Sequence, residues 1–126
     1  MTRPARQGEG QLSDAIREAL AWEPGLLLFR NSAGVVKSRG RLYHAGLGNG
    51  SADLVGVLAV AHETPGGMGR IGRFVALEIK TEDGKVEPHQ EAWLQGVRER
   101  GGFAAVVRSP LQALAAIRRA RNGASE

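Results

Sequence analysis

The spacing of apolar and polar positions along the chain predicts a mixed α/β domain. Apolar residues recur at a helical period from Leu12 to Trp22, and they form strand-length runs further along. The predicted order is helix, strand, hairpin, strand, strand, helix, strand and helix. Because helices and strands alternate in this way, the pattern favours a central sheet with helices on both faces.

The predicted strands differ in how continuous their apolar runs are. Residues 52–60 are almost entirely apolar, which is typical of a strand covered on both faces. The glycine-rich segment 46–50 before it is predicted to be a turn that allows close approach of its backbone to a ligand. Segment 62–72 holds Pro65 and four glycines and is predicted to be a mobile loop. The remaining predicted strands span residues 26–29, 35–37, 41–44, 74–80 and 103–107.

Proline and glycine positions delimit the predicted helices. Glu23-Pro24-Gly25 ends the first helix, and Pro88 fits the first position of the second. Ser109 caps the last helix. Trp22 and Trp93 occupy apolar helix positions and are expected in the core.

Composition narrows the class of protein. A chain of 126 residues with 42% hydrophobic residues is one domain, expected here over 9–121 between a flexible segment 1–8 and a tail 122–126. The absence of cysteine excludes disulfides and thiol nucleophiles, and the three histidines lack metal-ligand spacing. No apolar run approaches the ~20 residues of a membrane span. The N-terminus lacks a secretion signal, so a cytoplasmic, non-membrane protein is expected.

The charge of the chain favours nucleic acid as a partner. The net charge is +4, and 14 of the 17 basic residues are arginines, whose planar fork suits phosphate. A solvated basic surface would give the same balance. Four basic residues cluster around the predicted hairpin, where they would either track phosphates or form an exposed basic surface: Arg30, Lys37, Arg39 and Arg41.

Two carboxylates and a lysine form the strongest chemical pattern. Glu78 and Lys80 lie two apart on one strand, so they share a sheet face while Ile79 points into the core. Asp53 opens the preceding strand and can converge on Glu78. Two nearby carboxylates repel unless a cation lies between them, and oxygen ligands suit Mg²⁺ or Mn²⁺. An exposed ion pair is the alternative, but the apolar residues 74–77 argue against a solvated strand.

These residues resemble a known nuclease pattern. Gly50-x-x-Asp53, Glu78-x-Lys80 and Gln90 are similar to the PD-(D/E)xK superfamily, with Ala52 in place of proline. Within it, residues 9–118 resemble the VRR-NUC type. The supporting residues are Phe29-Arg30-Asn31-x-x-Gly34, Gly46-x-Gly48, Glu78-Ile79-Lys80, Gly84, Gln90 and Gly101-Gly102. The resemblance implies a restriction-endonuclease-like mixed central sheet flanked by helices, with an αβββαβ core.

The resemblance also implies roles for individual residues. Asp53 and Glu78 would bind Mg²⁺, for which Mn²⁺ would substitute. Lys80 would act at the attacking water, and Gln90 would support the site from its helix. Glu9 is the candidate for a further metal ligand on the first helix, with Gln11 and Glu18 as alternatives. The residues expected to contact nucleic acid are Arg30, Asn31, Lys37, Arg39 and Arg41.

The function implied is that of a small metal-dependent DNA endonuclease that hydrolyses phosphodiester bonds. A homodimer selective for branched DNA such as Holliday junctions is expected, in replication, repair or recombination in a bacterial or phage-infected cytoplasm. A non-catalytic nucleic-acid-binding module with the same fold is the competing hypothesis, and an interaction domain of a phage or repair complex is a third. The intact Asp53, Glu78 and Lys80 favour the enzyme.

Overall fold

The computed structural model describes residues 8–32 and 34–126, and within them the chain forms three helices and six strands. The predicted flexible segment 1–8 lies outside the described residues except for Gly8, which precedes the first helix. The helices are α1 (Glu9–Leu20), α2 (Pro88–Glu99) and α3 (Pro110–Arg121). The strands are β1 (Leu26–Arg30), β2 (Gly34–Ser38), β3 (Arg41–Ala45), β4 (Leu54–Thr64), β5 (Gly67–Ile79) and β6 (Phe103–Val107).

Four strands form a mixed central sheet in the order β1-β4-β5-β6. β4 is antiparallel to both β1 and β5, whereas β6 is parallel to β5 across the α2 crossover. β2 and β3 pair only with each other and form a separate hairpin over residues 34–45, here called the ribbon. Without the ribbon and α3, the order α1, β1, β4, β5, α2, β6 is the expected αβββαβ core.

The sheet separates two hydrophobic clusters, as the predicted helices on both faces require. α1 and α3 cover one face, where Leu12, Ile16 and Ile117 pack on Leu77 and Ile79. α2 covers the other face, where Leu94 packs with Ala52, Ala76 and Ala104. Since side chains alternate along β5, Leu77 and Ile79 point towards α1 and α3, which turns Glu78 towards α2.

The prediction of a mobile loop over 62–72 is wrong. β4 and β5 remain paired in antiparallel register out to Thr64 and Gly67, where the Thr64 hydroxyl donates a hydrogen bond to the Gly67 carbonyl at 2.6 Å. Glycine and proline are depleted in strands, so the composition indicated a loop. The register set by the buried half of the two strands carries the pairing outward, and Pro65 and Gly66 form the turn.

The prediction that Trp22 is a core residue is also wrong, because its side chain is 92% exposed. α1 ends at Leu20, so Trp22 lies beyond the stripe formed by Leu12, Ile16 and Leu20. Trp93 is half-buried and packs edge-on against Phe74, with ring centroids 6.4 Å apart.

The tail 122–126 follows α3 and contacts the outer edge of the sheet. The Ala104 N–H on β6 donates to the Ser125 carbonyl at 3.1 Å, and Glu126 forms an ion pair with Arg98 at 3.3 Å. No helix within the described part of the chain combines the length and apolar character that a membrane crossing requires.

Candidate active site

The sheet register brings Asp53 and Glu78 together. Leu54 at the start of β4 pairs with Leu77 near the end of β5, so Asp53 lies opposite Glu78. The Asp53 carboxylate also accepts a hydrogen bond from the Ile79 N–H at 2.7 Å. This bond fixes the Asp53 side chain against the backbone that carries Glu78.

The electrostatics of Glu78 are those of a buried acid beside a second acid. Its side chain is 2% exposed. Burial raises the pKa of Glu78 to about 8, and the charge of the neighbouring Asp53 adds to the rise. The Lys80 ammonium acts in the opposite direction. The protein therefore holds a proton on this pair at neutral pH unless a cation neutralises it.

One oxygen of Glu78 is left without a hydrogen-bond partner. Oε1 accepts from the Gln90 amide at 3.3 Å and lies 3.7 Å from the Lys80 ammonium, whereas Oε2 is buried and unpartnered within the described residues. Buried polar atoms are nearly always bonded, so an orphaned oxygen beside a second carboxylate fits a divalent cation. The described residues contain no cluster of three or more acidic, histidine or cysteine side chains arranged as a metal site. Mg²⁺ accepts such a site because it typically binds one or two carboxylates and keeps waters or phosphate oxygens.

Lys80 and Gln90 frame the carboxylate pair from two sides. Lys80 leaves the end of β5, where its N–H bonds the Val107 carbonyl at 3.1 Å and its side chain is 13% exposed. Gln90 lies in the first turn of α2. Its side-chain oxygen accepts from the Glu87 N–H at 2.9 Å in a capping box, which turns its NH₂ group towards Glu78.

The carboxylates open into a pocket of about 480 Å³. Glu9 at the start of α1 lines this pocket, and after burial and Asp53 its charge adds to the raised pKa of Glu78. The two alternative first-helix residues, Gln11 and Glu18, are exposed and lie outside the pocket lining. Glu9 is therefore the first-helix candidate that shares a cavity with the pair, and its role as a ligand stays a prediction.

The Asn31 side chain forms hydrogen bonds with three residues of the loop that precedes Asp53. Its NH₂ group donates to the Ser51 hydroxyl and the Ala52 carbonyl, each at 2.8 Å, and its oxygen accepts from the Leu47 N–H at 3.1 Å. The buried Ser51, which sequence reasoning did not single out, donates in turn to the Gly48 carbonyl at 2.7 Å. Contact between Asn31 and nucleic acid stays a prediction, and the structure gives it a positioning role.

Gly50 brings this loop into direct contact with α2. Its φ is +83°, and a Cβ added there would lie 2.6 Å from the His89 carbonyl oxygen. The predicted turn over 46–50 is present, and at Gly50 its backbone approaches the first turn of α2 closely, while its approach to a ligand stays a prediction. His89 and Gly50 both line the pocket.

The ribbon begins at the rim of the pocket, where Arg30 and Gly34 line it. All of its residues except Ala45 are exposed. It carries Lys37, Arg39 and Arg41, and no acidic residue occurs between Glu23 and Asp53. Of the predicted basic cluster, Arg30 lines the pocket, whereas Lys37, Arg39 and Arg41 lie exposed towards the turn end of the ribbon.

A mixed four-stranded sheet with a carboxylate pair where the start of β4 meets the end of β5, and a lysine two residues after Glu78, defines a restriction-endonuclease-like fold. The sequence matches the VRR-NUC domain over residues 9–110, and the chain belongs to this family. Membership implies a nuclease-type function with DNA as the substrate. No curated protein sequence matches the chain.

Proposed function

We propose that this chain is a Mg²⁺-dependent endodeoxyribonuclease that hydrolyses phosphodiester bonds. The observation that carries the proposal is that Glu78 Oε2 has no hydrogen-bond partner among the described residues, although it is buried next to Asp53 and Lys80. Asp53 and Glu78, with Glu9 as a further candidate, would hold Mg²⁺ or Mn²⁺, and the bound ion would activate water and neutralise charge on the phosphoryl oxygens.

The side chains around the pair have separate tasks. Lys80 presents a positive charge where negative charge develops on the attacked phosphate, and it orients the attacking water. Gln90 holds Oε1 of Glu78 and leaves Oε2 free. The Ile79 N–H holds one oxygen of Asp53, which leaves the other oxygen for the cation. The catalytic set is therefore Asp53, Glu78 and Lys80, with Gln90 in support.

Nicking of supercoiled plasmid tests the proposal directly. Purified protein is expected to convert the plasmid to open circles with Mg²⁺ or Mn²⁺ and to leave it intact with EDTA. Asp53→Asn purified in parallel serves as the control for contaminating nucleases. Nicking that survives EDTA or the substitution would refute the assignment.

DNA would approach along the ribbon. Arg30 at the pocket rim and Lys37, Arg39 and Arg41 on the exposed ribbon would contact phosphates, while Asn31 holds the loop before Asp53. A two-stranded ribbon fits the width of a duplex groove. Binding is expected to depend more on phosphate contacts than on base sequence, which suits an enzyme selective for DNA structure.

We further propose a homodimer that makes paired cuts in branched DNA such as Holliday junctions. One domain holds one site and cuts one strand, so symmetric cleavage requires two. The α2 side of the sheet offers a surface for a second copy. Four exposed apolar side chains lie on three neighbouring strands there: Leu27, Phe29, Val57 and Phe74. Branched DNA arises in replication, repair and recombination, and we place the activity there, in a bacterial or phage-infected cytoplasm.

Sedimentation and a cruciform plasmid test the dimer and its substrate. A dimer that cuts both strands within one binding event produces linear plasmid directly, whereas a monomer accumulates nicked circles first. Phe29→Ser, on the exposed sheet face, is expected to yield monomers and nicked circles. A monomeric wild type that only nicks would remove the junction-resolving proposal and leave the nuclease proposal standing.

A non-catalytic nucleic-acid-binding module is the second candidate. The exposed, acid-free ribbon favours it, together with the lack of a third acidic ligand close to the pair within the described residues. Duplex binding with no Mg²⁺- or Mn²⁺-dependent nicking would select this candidate.

A further inference from the structure

Arg108 holds the turn that joins the two halves of the candidate site. It follows β6, and its Nη1 donates to the carbonyls of Thr81 at 2.7 Å and Gly84 at 2.6 Å, with Glu82 at 3.5 Å. The Gly84 N–H also bonds the Thr81 carbonyl at 3.0 Å. The guanidinium therefore gathers the carbonyls of one tight turn around a single nitrogen.

Arg108 is a donor to all three carbonyls, and the Thr81 carbonyl accepts in addition from the Gly84 N–H. Backbone carbonyls in a partly buried turn need a donor, and a charged donor makes the stronger bond. A Cβ at Gly84 would lie 3.3 Å from three atoms of Thr81, so the turn is already closely packed. Removal of the guanidinium would take its charged donor from the Gly84 carbonyl and leave Thr81 with the Gly84 N–H alone, so the turn would open towards water.

The turn lies along the chain between Lys80, whose N–H also bonds the Val107 carbonyl, and Gln90, whose amide contacts Glu78. Lys80 immediately precedes the turn. After it, the chain reaches Glu87, whose N–H is bonded by the Gln90 side chain that contacts Glu78. Asp53 and Glu78 themselves are held by the strand register and the Ile79 N–H.

We infer that Arg108 is a positioning residue that sets the placement of Lys80 and Gln90 relative to the carboxylate pair. The inference rests on the proposed nuclease function for its kinetic consequence. Its structural consequence, ordering of residues 80–90, stands independently of that function. Arg108 touches no reacting group and lies outside the pocket lining.

Arg73 provides a matched control on the same sheet. Its guanidinium also bonds three backbone carbonyls, those of Gly101, Gly102 and Ala120. None of these residues adjoins a candidate site residue in sequence, whereas Thr81 directly follows Lys80. Arg73→Gln and Arg108→Gln thus remove similar sets of bonds, one remote from the site and one beside it.

The experiment measures kcat, KM, Mn²⁺ affinity and hydrogen exchange for both variants. Arg108→Gln is expected to lower kcat by about tenfold to a hundredfold, as misplacement of catalytic groups does, with Mn²⁺ affinity unchanged. Exchange is expected to rise over residues 80–90. Arg73→Gln is expected to keep kcat and the protection of residues 80–90, although its thermal stability also falls.

Lysine variants separate positioning from general destabilisation. All three contacts of Arg108 use one nitrogen, so the three donors of an ammonium can replace part of them. Arg108→Lys is expected to recover part of kcat and of the protection. Arg73 uses three different nitrogens, so Arg73→Lys is expected to recover little stability.

The inference is overturned if Arg108→Gln keeps wild-type protection of residues 80–90, or if Arg73→Gln lowers kcat to the same extent. A wild-type protein without cleavage activity would refute the proposed function instead. In that case, increased exchange confined to residues 80–90 in Arg108→Gln would still support the positioning role, and unchanged exchange would overturn it.

Discussion

Asp53 accepts a hydrogen bond from the backbone N–H of Ile79, the residue between Glu78 and Lys80. The same carboxylate thus lines the candidate site and joins the start of β4 to the end of β5. Chemical and structural roles of Asp53 can be separated because asparagine keeps an acceptor oxygen and alanine does not.

Asp53→Asn and Asp53→Ala are both expected to abolish cleavage, but they should differ in stability. Asparagine can still accept from the Ile79 N–H, whereas alanine leaves this donor unpaired at a cost of about 1–3 kcal/mol. Urea unfolding monitored by circular dichroism measures the difference. Equal free energies of unfolding would mean that the bond to Ile79 contributes nothing.

The raised pKa of Glu78 predicts how stability depends on pH without metal. The folded protein holds this proton up to about pH 8, whereas the unfolded chain releases it near the ordinary value of 4.5. The folded state therefore binds more protons between these values, so the free energy of unfolding falls as pH rises through this window.

Glu78→Gln is expected to flatten that dependence and to be more stable than the wild type at pH 8, by at most a few kcal/mol. Thermal unfolding in EDTA across the window tests this. Glu63→Gln, on the exposed part of the β4–β5 hairpin, is the control and should keep the wild-type slope. The same slope in Glu78→Gln would show that another group titrates.

Lys80→Met is expected to lower kcat at least about a hundredfold while Mn²⁺ affinity changes little, since Lys80 acts on developing charge and is not a ligand. Calorimetric Mn²⁺ titration and single-turnover kinetics measure the two effects. Lys85→Met, in the exposed linker before α2, should match the wild type in both. Parallel losses of affinity and turnover would contradict this role.

Glu9→Gln is expected to shift the Mg²⁺ dependence of cleavage to higher concentration, with rescue at saturating Mg²⁺. The reason is that Glu9 lines the pocket and acts on Glu78 through its charge. Glu18→Gln, on the same helix but outside the pocket lining, is the control. Identical Mg²⁺ curves for wild type and Glu9→Gln would leave Glu9 as a charge at the helix N-terminus.

The ribbon prediction concerns the salt dependence of duplex binding. Replacing Lys37, Arg39 and Arg41 with glutamine is expected to reduce the slope of log K against log salt by about 0.9 for each phosphate that the variant no longer neutralises. Fluorescence anisotropy with a short duplex measures the slope. Arg70→Gln, on the β4–β5 hairpin, is the control. An unchanged slope in the triple variant would place the DNA elsewhere.

The sequence predicted the strands correctly where the local pattern of apolar residues matches the residues that the sheet buries. The apolar run before Thr64 and the alternating residues around Glu78 each form a strand of the sheet, as predicted. The register of these two strands then brings Asp53 opposite Glu78. The glycine-rich half of the β4–β5 hairpin has no such signal. Its strands pair because the buried half of the same two strands sets their register. The sequence of residues 62–72 alone does not show this.

Other features depend on groups far apart in sequence. Trp22 follows the helical period but lies past the point where α1 ends, and periodicity alone does not locate that end. Arg108 carries no motif, because its three acceptors are backbone carbonyls that any residues could supply. Asn31 belonged to the family pattern, yet its internal bonds to Ser51 and Ala52 became visible only in three dimensions.

The close approach of Gly50 to the His89 carbonyl restricts position 50 to glycine. Any side chain there meets a backbone atom of α2, in addition to the strain of a positive φ. Gly40 in the ribbon turn also has a positive φ, +75°, but open space around it. A randomised codon at position 40 should therefore yield active clones with asparagine as well as glycine, whereas one at position 50 should return glycine alone.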